Sequence, residues 1–83
     1  MEENETQNER QLSFGEKAVG LSFNPSNDPT VQKVKELFAQ LVDLMNDARN
    51  SQESSEAKRL YSIAITEMQG AQMWGVKAVT WRD

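Results

Sequence analysis

The stretch FNPSNDPTVQKVK, residues 23–35, joins a rigid polar corner to the start of a helical pattern. Residues 24–27 predict a tight turn, because proline fixes φ and the Asn and Ser side chains bond nearby backbone. Asp28 and Pro29 then predict a helix start, with the aspartate as N-cap and the proline at the first helical position. The corner therefore decides where a helix begins and how the preceding chain joins it.

Beyond the corner, apolar residues lie alternately three and four apart, which is typical of a helix with one apolar seam. The first seam consists of Val31, Val34, Phe38, Leu41, Met45 and Ala48. A polar break at residues 50–55 separates it from a second seam, which consists of Leu60, Ala64, Met68, Ala71, Gly75 and Ala78. The pattern predicts helices over about 29–50 and 56–80, and the short connection favours an antiparallel hairpin.

Upstream of the corner, Ser13 and Glu16 fit the capping-box pattern, and Gly20 is a typical C-terminal stop. This predicts a helix over about 14–19, which is too short to be stable alone. Residues 1–11 hold four glutamates against one arginine, and no apolar residue follows Met1. We therefore expect a flexible acidic tail over 1–11 and one all-α domain over 12–83.

Further apolar residues flank both seams, so a lone hairpin leaves apolar surface uncovered. A chain of 83 residues forms only a small core, and without cysteine it has no disulfide to support it. Gly70 and Gly75 lie inside the predicted third helix, where glycine costs roughly 1 kcal/mol against alanine. They indicate that another backbone or a ligand comes close, and we expect a homo-oligomer whose hairpins share one core.

The composition leaves little for catalysis. With no histidine and no cysteine, the chain lacks the familiar triads, the thiol nucleophiles and the commonest metal ligands. We therefore expect a protein that is not an enzyme and that uses neither a cofactor nor a metal. Asp43 and Asp47 lie four apart and are interpreted as a solvated helix face. No apolar run approaches the length of a membrane span, which is about 18 residues, and no secretory signal is evident.

Charge is distributed unevenly along the chain. Net charge is −4, and residues 1–11 contribute −3 of it, so the rest is nearly neutral. Duplex nucleic acid requires a basic surface that this chain lacks. An antiparallel hairpin would nevertheless gather several basic residues at one end, namely Lys17, Lys33, Lys35, Lys77 and Arg82. Surface solubility is the ordinary explanation of each single lysine, but as a cluster beside a helix N-terminus they favour a small anion as much as solubility.

Aromatic residues of the predicted third helix also allow two interpretations, packing between subunits or ligand binding. Trp74 and Trp81 lie seven apart, which places them on one face of the predicted helix. They either pack in an oligomer seam or stack on a base, because an aromatic ring accepts any base face.

Two segments carry a family resemblance, GLSFNPSNDPTVQKVKELFAQLVDLMND at 20–47 and KRLYSIAITEMQGAQMWGVKAVTW at 58–81. Over residues 12–82 the chain resembles the phage anti-CBASS protein 2 family, whose hairpin the Thoeris anti-defence sponges share. The most specific pieces are FNPS at 23–26 and AQMWGVKAVTW at 71–81. The resemblance implies a homohexamer of helical hairpins that holds cyclic dinucleotides such as cyclic GMP-AMP, and in some members cyclic trinucleotides.

The resemblance further implies a sponge in the cytoplasm of the host bacterium, which lowers the free messenger without degrading it, so that the CBASS effector is not triggered. The ligand-binding residues that it implies are Phe14, Lys17, Phe23, Asn24, Pro25 and Ser26, with Arg59, Thr66 or Lys77 from the third helix. Two alternatives stay open. One is a hairpin that blocks or assembles a host protein through its apolar seam, and the other, disfavoured by composition, is a nuclease.

Overall fold

A computed structural model describes residues 11–83, which form three helices. We number them α1, Phe14–Val19, α2, Pro29–Asn50, and α3, Ser55–Val79. No strand occurs among residues 11–83, so the predicted all-α class is confirmed. The acidic tail predicted over 1–11 lies outside the described residues, apart from Gln11.

α2 and α3 form an antiparallel hairpin. Near the end of α2, Arg49 donates from Nη1 to the hydroxyl of Ser62 early in α3, at 2.9 Å. Near the other end, Val34 lies against Gly75, with its Cγ1 3.6 Å from the position of a Cβ on that glycine. Ser54 caps α3 by accepting from the backbone N–H of Ala57 at 3.1 Å.

α1 packs on the middle of α2 and is anchored there by Asp43. The carboxylate accepts from the Ser13 hydroxyl at 2.7 Å and from the Gly15 backbone N–H at 2.6 Å. The predicted capping box of Ser13 and Glu16 is present, and Gly20 ends the helix with φ at 65°. The interpretation of Asp43 as part of a solvated face was wrong, because its carboxylate completes the start of α1.

The buried stripe of α2 differs from the predicted seam. It consists of Val31, Lys35, Ala39 and Val42, spaced four, four and three apart. In the predicted seam, Leu41 is exposed and Phe38 only half-buried. The sequence of α2 holds two apolar faces, and the spacing alone did not show which one faces the hairpin. Because the buried stripe includes Lys35, the spacing of apolar residues alone did not identify it.

A second apolar face stays uncovered within the single chain. On α2 the exposed large apolar side chains are Leu37, Leu41 and Leu44, and on α3 they are Leu60, Ile63, Met73 and Trp74. Leu37, Leu41 and Leu44 follow one another at spacings of four and three, so they share one side of α2. The Cα atoms occupy a slab only 12 Å thick, so the three helices offer no deep interior to these side chains.

The C-terminal residues differ from the prediction in one respect. α3 ends at Val79 with Thr80 as its C-cap, so Trp81 follows the helix and shares no helix face with Trp74. The Trp81 indole N–H donates to the Asp83 carboxylate at 2.9 Å. Within residues 11–83, no helix is both long and apolar enough to cross a bilayer.

Candidate ligand-binding site

The corner ahead of α2 is fixed by side chains that bond within it. The Ser26 hydroxyl donates to the Asn24 side-chain oxygen at 2.8 Å and accepts from the Asp28 backbone N–H at 3.2 Å. Asn27 holds a positive φ of 54°, and Asp28 caps α2 by accepting from the Thr30 backbone N–H at 2.8 Å. The turn chemistry read from residues 24–28 is therefore present.

Lys35 holds this corner against α2. Its ammonium donates to the Gly20 carbonyl at 3.0 Å and to the Phe23 carbonyl, and it lies 5.4 Å from the centroid of the Phe23 ring. The side chain is only 5 % exposed. Within residues 11–83 no carboxylate pairs with it, and two of its three donors have acceptors. A positive charge is thus buried among carbonyl dipoles and a ring, without a counter-ion from the described chain.

Two cavities meet at Lys35 and Phe23. The smaller, of about 270 Å³, is lined by the corner residues 23–26 and by α3. The larger, of about 490 Å³, lies between α1 and α3 and is lined in part by Lys17 and Gln72. Lys35, Phe23 and Val76 line both cavities. Since the Phe23 side chain is 70 % exposed, the site combines an open aromatic ring with a buried cation.

The structure brings together most residues predicted around the corner. Lys17 and Phe23 line the larger cavity, and residues 23–26 line the smaller one. Phe14 lines neither, and its ring lies 5.6 Å from the guanidinium carbon of Arg49. Phe14 therefore lies apart from the corner within the single chain, and its part in a ligand site stays a prediction. The first residue of α1 lies near the end of α2, whereas the end of α1 reaches the corner.

The three candidates on α3 lie apart from one another. Arg59 pairs with Glu56 at 2.8 Å in the first turn, and its hydrogen bond lowers the pKa of the Glu56 carboxyl below the ordinary value. The Thr66 hydroxyl donates to a carbonyl one turn earlier. Lys77 lies 5.4 Å from the centroid of the Trp74 ring. Arg59 and Lys77 are roughly 27 Å apart along the helix, so one pocket of a single chain does not hold both.

The predicted basic cluster forms only in part. Lys17 and Lys35 line one cavity, whereas Lys77 lines a separate depression beside Trp74. Lys33 is exposed, because it precedes Lys35 by two residues and so lies on nearly the opposite side of α2. The sequence placed these lysines at one end of the hairpin but did not show how differently they are buried.

Sequence reasoning named Lys35 only as one member of a basic cluster and did not single out Gln72. For Lys35 a signal existed, since apolar Val31 and Ala39 stand four residues before and after it on the same helix face. Gln72 carried the same signal, since Met68 and Val76 stand four residues before and after it.

Other cavities suit an anion less well. A cavity of about 410 Å³ is lined by three acidic residues, Glu16, Glu36 and Asp43, whose charges repel phosphate. No group of three or more acidic residues in the described part of the chain has the arrangement to hold a metal ion.

Residues 16–80 match the family model described as Acb2/Tad1, hairpin domain. The matched segment includes all of α2 and α3 and the residues that line both cavities. No curated protein and no solved structure matches the chain.

Proposed function

Because the chain belongs to the Acb2/Tad1 hairpin-domain family, we propose that it binds and sequesters a cyclic oligonucleotide messenger, such as cyclic GMP-AMP, without degrading it. An anti-defence sponge is the general role of this family. In the cytoplasm of a bacterium infected by a phage, such a protein keeps the free messenger below the level that activates the CBASS effector. Cyclic trinucleotides belong to the same proposal as a second ligand class.

The observation that carries this proposal is the buried ammonium of Lys35 at the junction of two cavities. A buried charge without a counter-ion costs several kcal/mol. A phosphodiester in either cavity would supply the negative charge, and Lys17 adds a second cation to the larger one. The open ring of Phe23 suits a nucleobase, since stacking contributes roughly 1–3 kcal/mol per base. A cyclic dinucleotide offers both groups in one compact molecule.

A ligand held only by the native state raises the melting temperature as its concentration rises. At a hundred times Kd the stabilisation is about 2.7 kcal/mol, which for a domain of this size is a shift of roughly 10 °C or more. We expect this shift with cyclic GMP-AMP and not with the linear dinucleotide as control. Intact cyclic ligand recovered after denaturing the complex separates a sponge from a nuclease. No shift with any cyclic di- or trinucleotide contradicts the proposal.

The uncovered apolar face supports a homo-oligomer, for which the family implies a hexamer. Leu41 lies in the middle of that face on α2, and its neighbour Gln40 is also exposed. We expect the wild type to sediment as an oligomer and Leu41→Glu to dissociate it, because a charge in an apolar interface is costly. Gln40→Glu, with the same new charge one position away, keeps the assembly. A wild type that sediments as a folded monomer contradicts this expectation.

The same apolar face favours one alternative function, a hairpin that blocks or assembles a host protein. Docking of a host protein on the apolar face would leave the Lys35 ammonium without a counter-ion. The sponge function therefore accounts for more of the structure. The alternative becomes the better account if cyclic nucleotides leave the melting temperature unchanged while the exposed leucines remain essential for anti-defence activity.

A further inference from the structure

A second buried polar group lies beside Lys35. The Gln72 side chain on α3 is 5 % exposed. Its carboxamide forms no hydrogen bond with any of residues 11–83. Buried side-chain amides nearly always have a partner, because burial removes the water that would otherwise bond them. The orphaned amide therefore points to a group supplied from outside the chain.

The position of Gln72 shows where that group would lie. Gln72 lines the cavity of about 490 Å³ between α1 and α3, together with Lys17 and Lys35. Gln69, one turn earlier on the same helix, donates from its amide to the Ala18 carbonyl at 3.3 Å. One glutamine thus binds α1, whereas the other lines the cavity with its amide unpaired.

We propose that Gln72 is a specificity-determining residue whose carboxamide hydrogen-bonds the edge of an adenine held in this cavity, an inference that rests on the proposed function. A carboxamide presents one donor and one acceptor side by side. A phosphate only accepts, so it would leave the carboxamide oxygen unpaired. Adenine presents N6 as donor beside N7 on one edge and beside N1 on the other, so either edge matches a carboxamide. Guanine presents two acceptors, N7 and O6, on the first edge and matches only through N1–H beside O6, so it fits in one orientation where adenine fits in two.

The roles of the site residues then divide by chemistry. Lys17 and Lys35 supply charge for phosphate, Phe23 supplies a stacking face, and Gln72 distinguishes the base. Charge and stacking act on every cyclic dinucleotide alike, so they give affinity without choosing a base. Gln72 is the buried amide at this cavity that lacks a partner among the described residues.

Isothermal titration of the full chain with cyclic di-AMP and cyclic di-GMP tests the inference. Gln72→Met keeps the length of the side chain and removes its hydrogen bonds. We expect it to weaken cyclic di-AMP binding roughly ten- to hundredfold, the range of one bidentate base contact, and to change cyclic di-GMP binding far less. Gln69→Met is the matched control and leaves the ratio of the two affinities unchanged. Equal losses for both ligands, or no loss, overturn the inference.

A measurement on the wild type covers the case in which Gln72→Met does not fold. In NMR spectra, cyclic di-AMP shifts the side-chain amide resonances of Gln72 more than those of Gln69. Unshifted Gln72 resonances in a saturated complex overturn the inference, as does a wild type that binds cyclic di-GMP and not cyclic di-AMP. A wild type that binds no cyclic oligonucleotide instead overturns the proposed function. The two failures are therefore distinguishable.

Discussion

Gly15→Ala detaches α1 from the hairpin and lowers the free energy of unfolding by about 3 kcal/mol, at the upper end of typical overpacking costs. A Cβ at this position would overlap the backbone carbonyl of Ala39 and lie 2.9 Å from a carboxylate oxygen of Asp43. The overlap is between a Cβ fixed to the backbone of α1 and a backbone carbonyl of α2. No change of rotamer relieves it, so α1 has to move. The move also breaks the hydrogen bonds by which Asp43 holds Ser13 and Gly15. Urea denaturation followed by circular dichroism measures the loss.

The same substitution at Gly75 is the matched control. There the new Cβ would meet Val34 at 3.6 Å, an ordinary contact. Because alanine is favoured over glycine inside a helix, Gly75→Ala is neutral or stabilises by up to about 1 kcal/mol. Ligand binding falls with Gly15→Ala, since α1 forms one wall of the larger cavity. Similar unfolding curves for the two variants would show that α1 is not held by close backbone contact.

Lys35→Met weakens binding of a cyclic dinucleotide by more than about a hundredfold, since hydrogen bonds to charged groups contribute about 1.5–3 kcal/mol and the corner loses its clamp as well. The effect on folding is smaller. The carbonyls of Gly20 and Phe23 lose their donor, but the chain no longer buries an unpaired charge. Titration calorimetry reports the affinity, and thermal denaturation shows that the variant folds.

Lys33→Met provides the comparison for Lys35. It removes the same charge from the same helix, two residues away, but from an exposed side chain. We expect a change in affinity below about threefold, because salt and water screen an exposed charge. Equal losses for the two variants would mean that net charge governs binding. Unchanged affinity of Lys35→Met for the cyclic dinucleotide would show that the buried ammonium does not contribute to the binding site.

Local chemistry made the helix starts predictable. Ser13 and Asp28 cap their helices as predicted, each through its own side-chain oxygen, and such bonds join residues only two or three apart. The turn at residues 24–28 is equally local, since its side chains bond each other. Sequence reading succeeds here because the interacting groups are neighbours in the chain.

Contacts between distant residues were not predictable. Asp43 looks like any surface aspartate until α1, about thirty residues earlier, places Ser13 and Gly15 against it. The true face of α2 was missed because two apolar stripes share the helix, and only packing against α1 and α3 selects one. The spacing of apolar residues shows that a helix has a buried face, but it does not show which of two apolar faces is buried.

The sequence predicted part of the candidate site. The corner residues 23–26 and Lys17, which the family resemblance implied as ligand-binding residues, line two cavities of the single chain, and their contact with a ligand stays a prediction. The buried polar residues were not anticipated. Lys35 appeared as one lysine among several, and Gln72 as an unremarked glutamine, because burial of a polar group depends on the completed fold.

The thinness of the molecule limits how the sequence can diverge. In a slab whose Cα atoms span 12 Å, α2 and α3 each contribute side chains to the core, to the two cavities at Lys35 and to the uncovered apolar face. A substitution that adapts one of these surfaces therefore disturbs another within a turn of helix. Relatives that change their preferred messenger should acquire paired substitutions on facing helices, and single replacements should accumulate mainly in the loop that follows α2.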